Sequence, residues 1–245
     1  MSNKQADCSR FLTATSPAGP ETSARLSAWI YTLAGPPPCY HYSWELIQRG
    51  DAVAAVLYRE DCLIVVYRGT VETRTWLTNL DGGMAELLGG QVWEGFAEYE
   101  SELHQRVSKI YQQEQLPTKF CGHSLGGAAA IISAARFASG TNGDLVDTVH
   151  TFGCPAVGDA NFSASLRSHG VSSRISNFVN PGDGVPRVPP WLVHPGQILL
   201  WDDAKSSWQI QSSVPPIVER PTQAAAWMSQ TIKNHDVNLY VSRFE

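Results

Sequence analysis

The chain has 245 residues, of which 43% are apolar and 17% charged, with a formal charge of -5 and a pI near 5.8. A single α/β unit of this length buries roughly 70–75% of its unfolded surface, so a rigid core is within reach and disorder is disfavoured. The acidic balance and the lack of any Lys/Arg run argue against nucleic acid or anionic membrane as the main partner, and no apolar stretch is long enough to span a bilayer.

Residues 1–20 read as a polar arm rich in Pro, Ser and Thr, ahead of one domain over 21–245. The arm has no continuous apolar segment of the kind a secretory signal needs, so the expectation is a cytoplasmic protein or one exported without a leader. Five cysteines (Cys8, Cys39, Cys62, Cys121 and Cys154) are widely spaced, with no paired pattern for zinc or a redox dithiol. Cys62 and Cys121 fall in strand-like apolar runs, where a thiol packs as a small hydrophobe.

In chain order, "ETSARLSAWIYTLAG" places Leu26, Ile30 and Leu33 at helical spacing, and Gly35 with the prolines after it ends that helix. "AVAAVLYRE" and "CLIVVYRGT" read as a hairpin entering a central strand. The segment 95–115 is a long amphipathic helix stopped by Pro117. "TKFC" is a strand, and "AAAIISAARFAS" is a helix apolar enough to be buried. "LVDTVHTFG" and "SRISNFVN" are strands with a helix, "ANFSASLRSHG", between them. "QILLWDDAKSSWQIQ" forms a second hairpin, and the tail from Thr222 carries one or two helices. Strands alternating with helices over 92–180 imply parallel crossovers and an α/β class with a mixed sheet.

Between the strand "TKFC" and the buried helix lies "GHSLGG", in which residues 122–126 fit Gly-x-Ser-x-Gly. A strand–turn–helix context is what a nucleophile elbow requires. The turn brings the residues two before and two after the serine almost into collision, so Gly122 and Gly126 remove a clash while His123 and Leu125 flank the serine. Ser124 is then strained and exposed at the carboxyl edge of the sheet. The alternative is a glycine-rich turn used only for close packing.

A serine hydroxyl needs a base, and the base needs an orienting acid. In this type of sheet the chain order is Ser, then Asp or Glu, then His. His150 lies inside a strand and His169 at a helix end, which leaves His194 and His235 as better candidates. For the acid, Asp183 sits in "NPGDGVPRVPP", just beyond a strand end on the edge where ligands of open α/β sheets bind. The same Pro-Gly-Asp-Gly run suits a simple Asx turn equally well. Asp236 is a weaker candidate, since its side chain is expected to point away from the neighbouring imidazole. Oxyanion donors are expected from the main-chain N–H of Leu125 and from Thr70, at the end of "IVVYRGT".

Together these blocks resemble the class 3 lipases, the family of fungal triacylglycerol lipases and their bacterial and plant relatives. The resemblance runs collinearly through "VVYRGT" with "WLTNLD", "VWEGF", "GHSLGG", "TFGCPAVGDANF" and "NPGDGVPRVPP" with "HPGQILLW", and less tightly through the final "HDVNLYV". It implies an α/β-hydrolase fold, a mixed and mostly parallel sheet flanked by helices. It implies Ser124 as nucleophile, Asp183 as orienting acid, His235 as general base, and a structural place for His194. It supports Thr70 in the oxyanion hole. It also places "VETRTWLTNLD" where the family carries a lid helix, although the segment is short and its apolar face, with Trp76 and Leu77, is modest. Trp76, Leu77 and Trp93 are the substrate-binding candidates, with Met84, Leu87 and Leu88 as a further apolar rim for an acyl chain.

The reading is therefore a monomeric serine carboxylic-ester hydrolase whose substrates are small-molecule or lipid esters, acylglycerols first, with transient contact at a lipid interface. Phospholipase A1, a feruloyl-type esterase and an inactive lipase-like binding module are the alternatives. No metal-ligand spacing and no phosphate-cradling loop appears, so no cofactor and no metal are implied.

Overall fold

The computed structural model describes residues 19–33, 35, 37, 43–70, 82–140, 143–215 and 224–245, the side chains of 224–228 excepted. Its centre is an eight-stranded sheet in the order β1-β2-β3-β6-β7-β8-β9-β10. The strands are β1 Trp44–Arg49, β2 Ala52–Tyr58, β3 Leu63–Tyr67, β6 Thr118–His123, β7 Val146–Phe152, β8 Ile175–Val179, β9 Gln197–Asp202 and β10 Ser207–Gln211. β3, β6, β7, β8 and β9 pair in parallel, and antiparallel pairs close both sides. The expected α/β class with a mixed, mostly parallel sheet is thus observed. A separate hairpin, β4 Met84–Leu87 with β5 Gly90–Trp93, stands apart from the sheet.

Period-two alternation distributes the central strands between two cores. Ala54, Val56, Leu63, Val65 and Tyr67 face α2 (Glu94–Glu114) and α3 (Leu125–Ala138), while Val53, Ala55, Leu57, Ile64, Val66 and Cys121 face α1 (Pro20–Thr32). Both faces being covered explains why β2 and β3 read as continuous apolar runs. α1 delivers Leu26 and Ile30, each burial contributing about 1.5–3 kcal/mol. The helix ends earlier than its spacing predicts. Leu33 is its C-cap at φ 48° and 36% exposed, so that leucine lies outside the buried face. α2 buries Phe96, Leu103, Val107 and Ile110 along one stripe and stops at a left-handed Gln115, whose N–H donates to the Tyr111 carbonyl.

Two elements escape the sequence patterns. β1 has a mostly solvent-facing pattern, with only Ile47 buried. The β4–β5 turn is made by Leu88 (φ 53°) and Gly89 (φ 72°), a tight turn without the Asn-Gly signal that marks such pairs. Among the described residues the remaining α-helices are α4 Ala160–Ser168, α5 Ala224–Asn234 and α6 Val237–Ser242. Cys62, Cys121 and Cys154 are free and buried, and burial pushes their thiols up, to about 11 for Cys62 and about 12 for Cys121. Cys8 and Cys39 lie outside the described residues, as does most of the N-terminal arm. Among the described residues no helix is long and apolar enough to cross a membrane.

The parallel strands end at Tyr67, His123, Phe152, Val179 and Asp202, so the loops after them share one edge. Close main-chain contacts hold that edge together. A Cβ on Gly122 would sit 2.3 Å from the Gly126 main chain, and one on Gly126 would sit 2.2 Å from the Tyr67 carbonyl oxygen. Neither neighbour is a flexible side chain. Gly126→Ala is therefore expected to lose about 3 kcal/mol or more of stability, beyond ordinary overpacking. Gly95→Ala, in an exposed turn of α2 with only van der Waals contact at its Cβ, should be neutral or stabilising. Matched urea denaturation curves decide this, and equal losses in both variants would refute the backbone-contact argument.

His150 on β7 is buried and accepts or donates one hydrogen bond with Ser23 Oγ of α1 at 2.9 Å. Burial, with Lys119 nearby, pushes its imidazole down to about 4. A histidine depressed in the folded state contributes its full stability above its unfolded value near 6.5 and loses it as pH falls toward 4, about 3 kcal/mol in all. Wild-type stability should fall across that window, and His150→Gln should flatten the fall; parallel curves for the two proteins would contradict it.

Candidate active site

Ser124 occupies the turn between β6 and α3 at φ 58°, ψ -129°, a conformation costing a non-glycine residue about 1–3 kcal/mol. Two features hold it there. The Ser124 N–H donates to the Phe152 carbonyl at 2.9 Å, extending the β6–β7 pairing, and the Ser124 carbonyl accepts from Gly127 N–H at 2.9 Å, starting the helix. Gly122, Gly126 and Gly127 let the turn close, since a Cβ on Gly127 would meet Cys154 at 2.9 Å. Leu125 is then the first residue of α3, where main-chain N–H groups have no carbonyl within the helix to bond. Such a helix start favours negative charge.

The β3 loop arrives from the other side. A Cβ on Gly69 would lie 2.5 Å from the His123 carbonyl oxygen and 3.1 Å from Ser124 Cβ. Only glycine permits that approach, and it brings the next residue, Thr70, half-buried, to the elbow.

Asp183 and His235, 52 residues apart in sequence, meet over the end of β7. His235 Nδ1 donates to Asp183 Oδ2 at 2.9 Å, and both side chains are buried. Gly153, at φ 58°, makes room for the pair, since its Cβ would come within 2.8 Å of both Asp183 Oδ2 and His235 Nδ1. The Asp183 carboxylate accepts two more hydrogen bonds, from Val185 N–H to Oδ1 at 2.9 Å and from the Tyr240 hydroxyl to Oδ2 at 2.6 Å. Tyr240 in turn accepts from the Asn180 N–H, and burial beside Asp183 holds its phenol well above the ordinary range, so it stays a donor. With three donors the buried carboxylate is compensated. With Nδ1 donating toward Asp183, the other ring nitrogen of His235, Nε2, is buried and has no hydrogen-bond partner among the described residues.

The remaining sequence candidates are engaged elsewhere. His194 Nε2 donates to the Pro186 carbonyl at 2.7 Å, bracing the loop after Asp183. His169 is bonded to its own helix through Ser165, and His150 to Ser23. Asp236 caps α6 by accepting from Asn238 N–H at 2.9 Å. Trp93 is buried, with Trp191 lying 6.3 Å from it, ring to ring; Trp191 is 63% exposed. Trp76 and Leu77 lie outside the described residues. An open cavity of about 390 Å³ beside Pro186, Arg187, Leu192 and His194 is lined by none of Ser124, Asp183 and His235. Gly69, Gly153 and Tyr240 lie within the blocks "VVYRGT", "TFGCPAVGDANF" and "HDVNLYV", but sequence reading gave them no role; the fold shows their contacts.

The family model "Lipase (class 3)" matches residues 64–193. Among curated proteins, phospholipase A1-II 4 of Oryza sativa subsp. japonica is 28% identical over 76% of this chain and 52% of its own length. A lipase of Rhizomucor miehei is 30% identical over 69% of this chain and 48% of its own. The chain thus spans about half the length of these relatives. In shape it is similar to lipase II from Rhizopus niveus, with a TM-score of 0.70 at 20% identity, over 88% of this chain and 90% of that one. That likeness places the sheet and its helices in the α/β-hydrolase fold. With the family model covering more than half of its length, the chain belongs to the class 3 lipases.

Proposed function

We propose that the chain hydrolyses carboxylic esters of lipids, acylglycerols first, through an acyl-enzyme formed on Ser124. The observation that carries this reading is the buried His235–Asp183 pair at 2.9 Å, with Nε2 unpartnered among the described residues, on the same sheet edge as a serine in a strained elbow. In this reading His235 Nε2 takes the proton of Ser124 Oγ as that oxygen attacks the ester carbonyl. The main-chain N–H of Leu125 and Thr70 receive the oxyanion, and His235 returns the proton to the leaving alcohol. Water then repeats the sequence and frees the acid. Asp183 fixes the ring so that Nε2, rather than Nδ1, is the base. The names of the two curated relatives, a lipase and a phospholipase A1, both point to lipid esters, and the head group is the open variable between them.

The test is hydrolysis of p-nitrophenyl esters from acetate to palmitate, of a triacylglycerol emulsion and of phospholipid vesicles, beside Ser124→Ala. Ser124→Ala should lower turnover by roughly 10⁶, and a variant keeping more than a few per cent would overturn the assignment. Serine-dependent turnover that favours the emulsion supports the acylglycerol reading; a preference for vesicles moves the protein to phospholipase A1.

Tyr240→Phe removes one of the three donors to Asp183 and leaves the buried Asn180 N–H without its partner. It should lower stability by about 1–3 kcal/mol and turnover by roughly tenfold. Unchanged turnover would show that Val185 and His235 suffice to orient the acid.

A further inference from the structure

His235 is held at two points, and the second involves the residue just before the nucleophile. His123 Nε2 lies 2.7 Å from the main-chain carbonyl oxygen of His235, and the two rings lie in tilted contact, 4.4 Å between centroids. A carbonyl only accepts, so Nε2 of His123 carries its proton. Nδ1 is then the acceptor, and the Tyr31 hydroxyl, 2.8 Å away, donates to it. Burial drives the His123 imidazole well below its ordinary range, with His235 adding to the shift, and burial likewise raises the Tyr31 phenol. Both groups therefore keep the proton arrangement the geometry requires.

Tyr31 belongs to α1, more than 90 residues from either histidine in sequence. Its hydroxyl also lies against Gly69, whose Cβ would come within 2.2 Å of that oxygen. One side chain thus touches both the residue before Thr70 and the residue before Ser124. Through His123 it reaches the segment that carries the base. The oxyanion loop, the elbow and the histidine segment otherwise come from three separate parts of the chain.

We infer that Tyr31 and His123 form a positioning relay, in which the Tyr31 hydroxyl fixes the tautomer of His123 and the His123 Nε2–H anchors the His235 main chain at the distance Ser124 requires. The inference rests on the Ser124–His235–Asp183 reading above. Neither residue exchanges a proton with substrate; each acts by holding another group still. A misplacement of the base by about 1 Å costs on the order of 10²-fold in turnover, which sets the effect to expect.

The test uses the full chain and a soluble substrate, p-nitrophenyl butyrate, with His123→Leu, His123→Gln, Tyr31→Phe and Ser124→Ala. His123→Leu removes the donor and should lower kcat by about 30- to 100-fold with KM within twofold. His123→Gln replaces the Nε2–H by an amide N–H of similar reach and should recover kcat to within about fivefold of wild type. Tyr31→Phe, which deletes one oxygen and keeps the ring, should lower kcat by about three- to tenfold. A Gln variant as slow as the Leu variant would overturn the relay, because packing alone would then explain the loss. So would a Leu variant at more than a third of wild-type kcat, or Tyr31→Phe at full activity.

If His123→Leu does not fold, the imidazole ¹⁵N shifts of the wild-type protein decide. A neutral His123 protonated at Nε2, with its Nδ1 resonance displaced in Tyr31→Phe, supports the relay, and a ring protonated at Nδ1 overturns it. Ser124→Ala separates the two readings. Its retained activity would sink the triad, whereas an inactive Ser124→Ala beside an unimpaired His123→Leu sinks the relay alone.

Discussion

The arrangement hangs on main-chain contact at the end of the parallel strands. β6 turns into α3 with Gly126 pressed on the end of β3, Gly122 pressed on Gly126, and Gly69 pressed on the elbow itself. Side chains at those three places would hold the elements apart by at least the width of a methyl group. The strain at Ser124 persists because the surrounding structure over-determines it. Its N–H extends one strand pair, and its carbonyl starts a helix buried nearly all round. The alanines of α3 serve the same end, since small side chains let the helix sit close to the sheet and keep its first turn over the strand ends.

Around that turn the electrostatics are organised by burial. Asp183 places a carboxylate in the interior and surrounds it with a main-chain N–H, a phenol and an imidazole, while Arg187 donates to its main-chain carbonyl. His123, His150 and His194 are all driven below the ordinary imidazole range by desolvation, and each has one or both ring nitrogens tied to a fixed partner. The neutral His123 beside His235 adds no competing positive charge. The tautomers follow from the partners: carbonyl oxygens accept the Nε2–H of His123 and of His194, and the Asp183 carboxylate accepts the Nδ1–H of His235.

The exposed aromatic surface is distributed differently from what spacing implies. Trp93 is in the core beside Phe96, and Trp191, on the proline-rich loop after Asp183, covers it and faces solvent. That loop is fixed to the rest by main-chain pairing, with Val193 N–H on the Gly158 carbonyl and Ala156 N–H on the Val188 carbonyl. That pairing fixes the main chain that carries Trp191.

The amino-acid pattern by itself determined much of the architecture. The apolar runs of β2, β3, β6, β7 and β8, the stripe of α2 and the Gly-x-Ser-x-Gly turn are local signals, carried by period and by residues with restricted backbone preferences. The elbow at Ser124 was legible for that reason, and the place of Asp183 because a strand end followed by Pro-Gly marks the sheet edge. β1 and the β4–β5 hairpin were not legible. The first lacks a buried face of its own, and the second turns on a left-handed leucine. The family resemblance already favoured His235 over His194, and the tertiary structure sets His235 against Asp183. It also brought in Tyr240, Gly153, Gly69 and Tyr31 and turned His123 from a neighbour of the serine into a contact of His235. Those choices depend on distances between segments 50 to more than 100 residues apart, and the packing of strands and helices sets such distances where no local period records them.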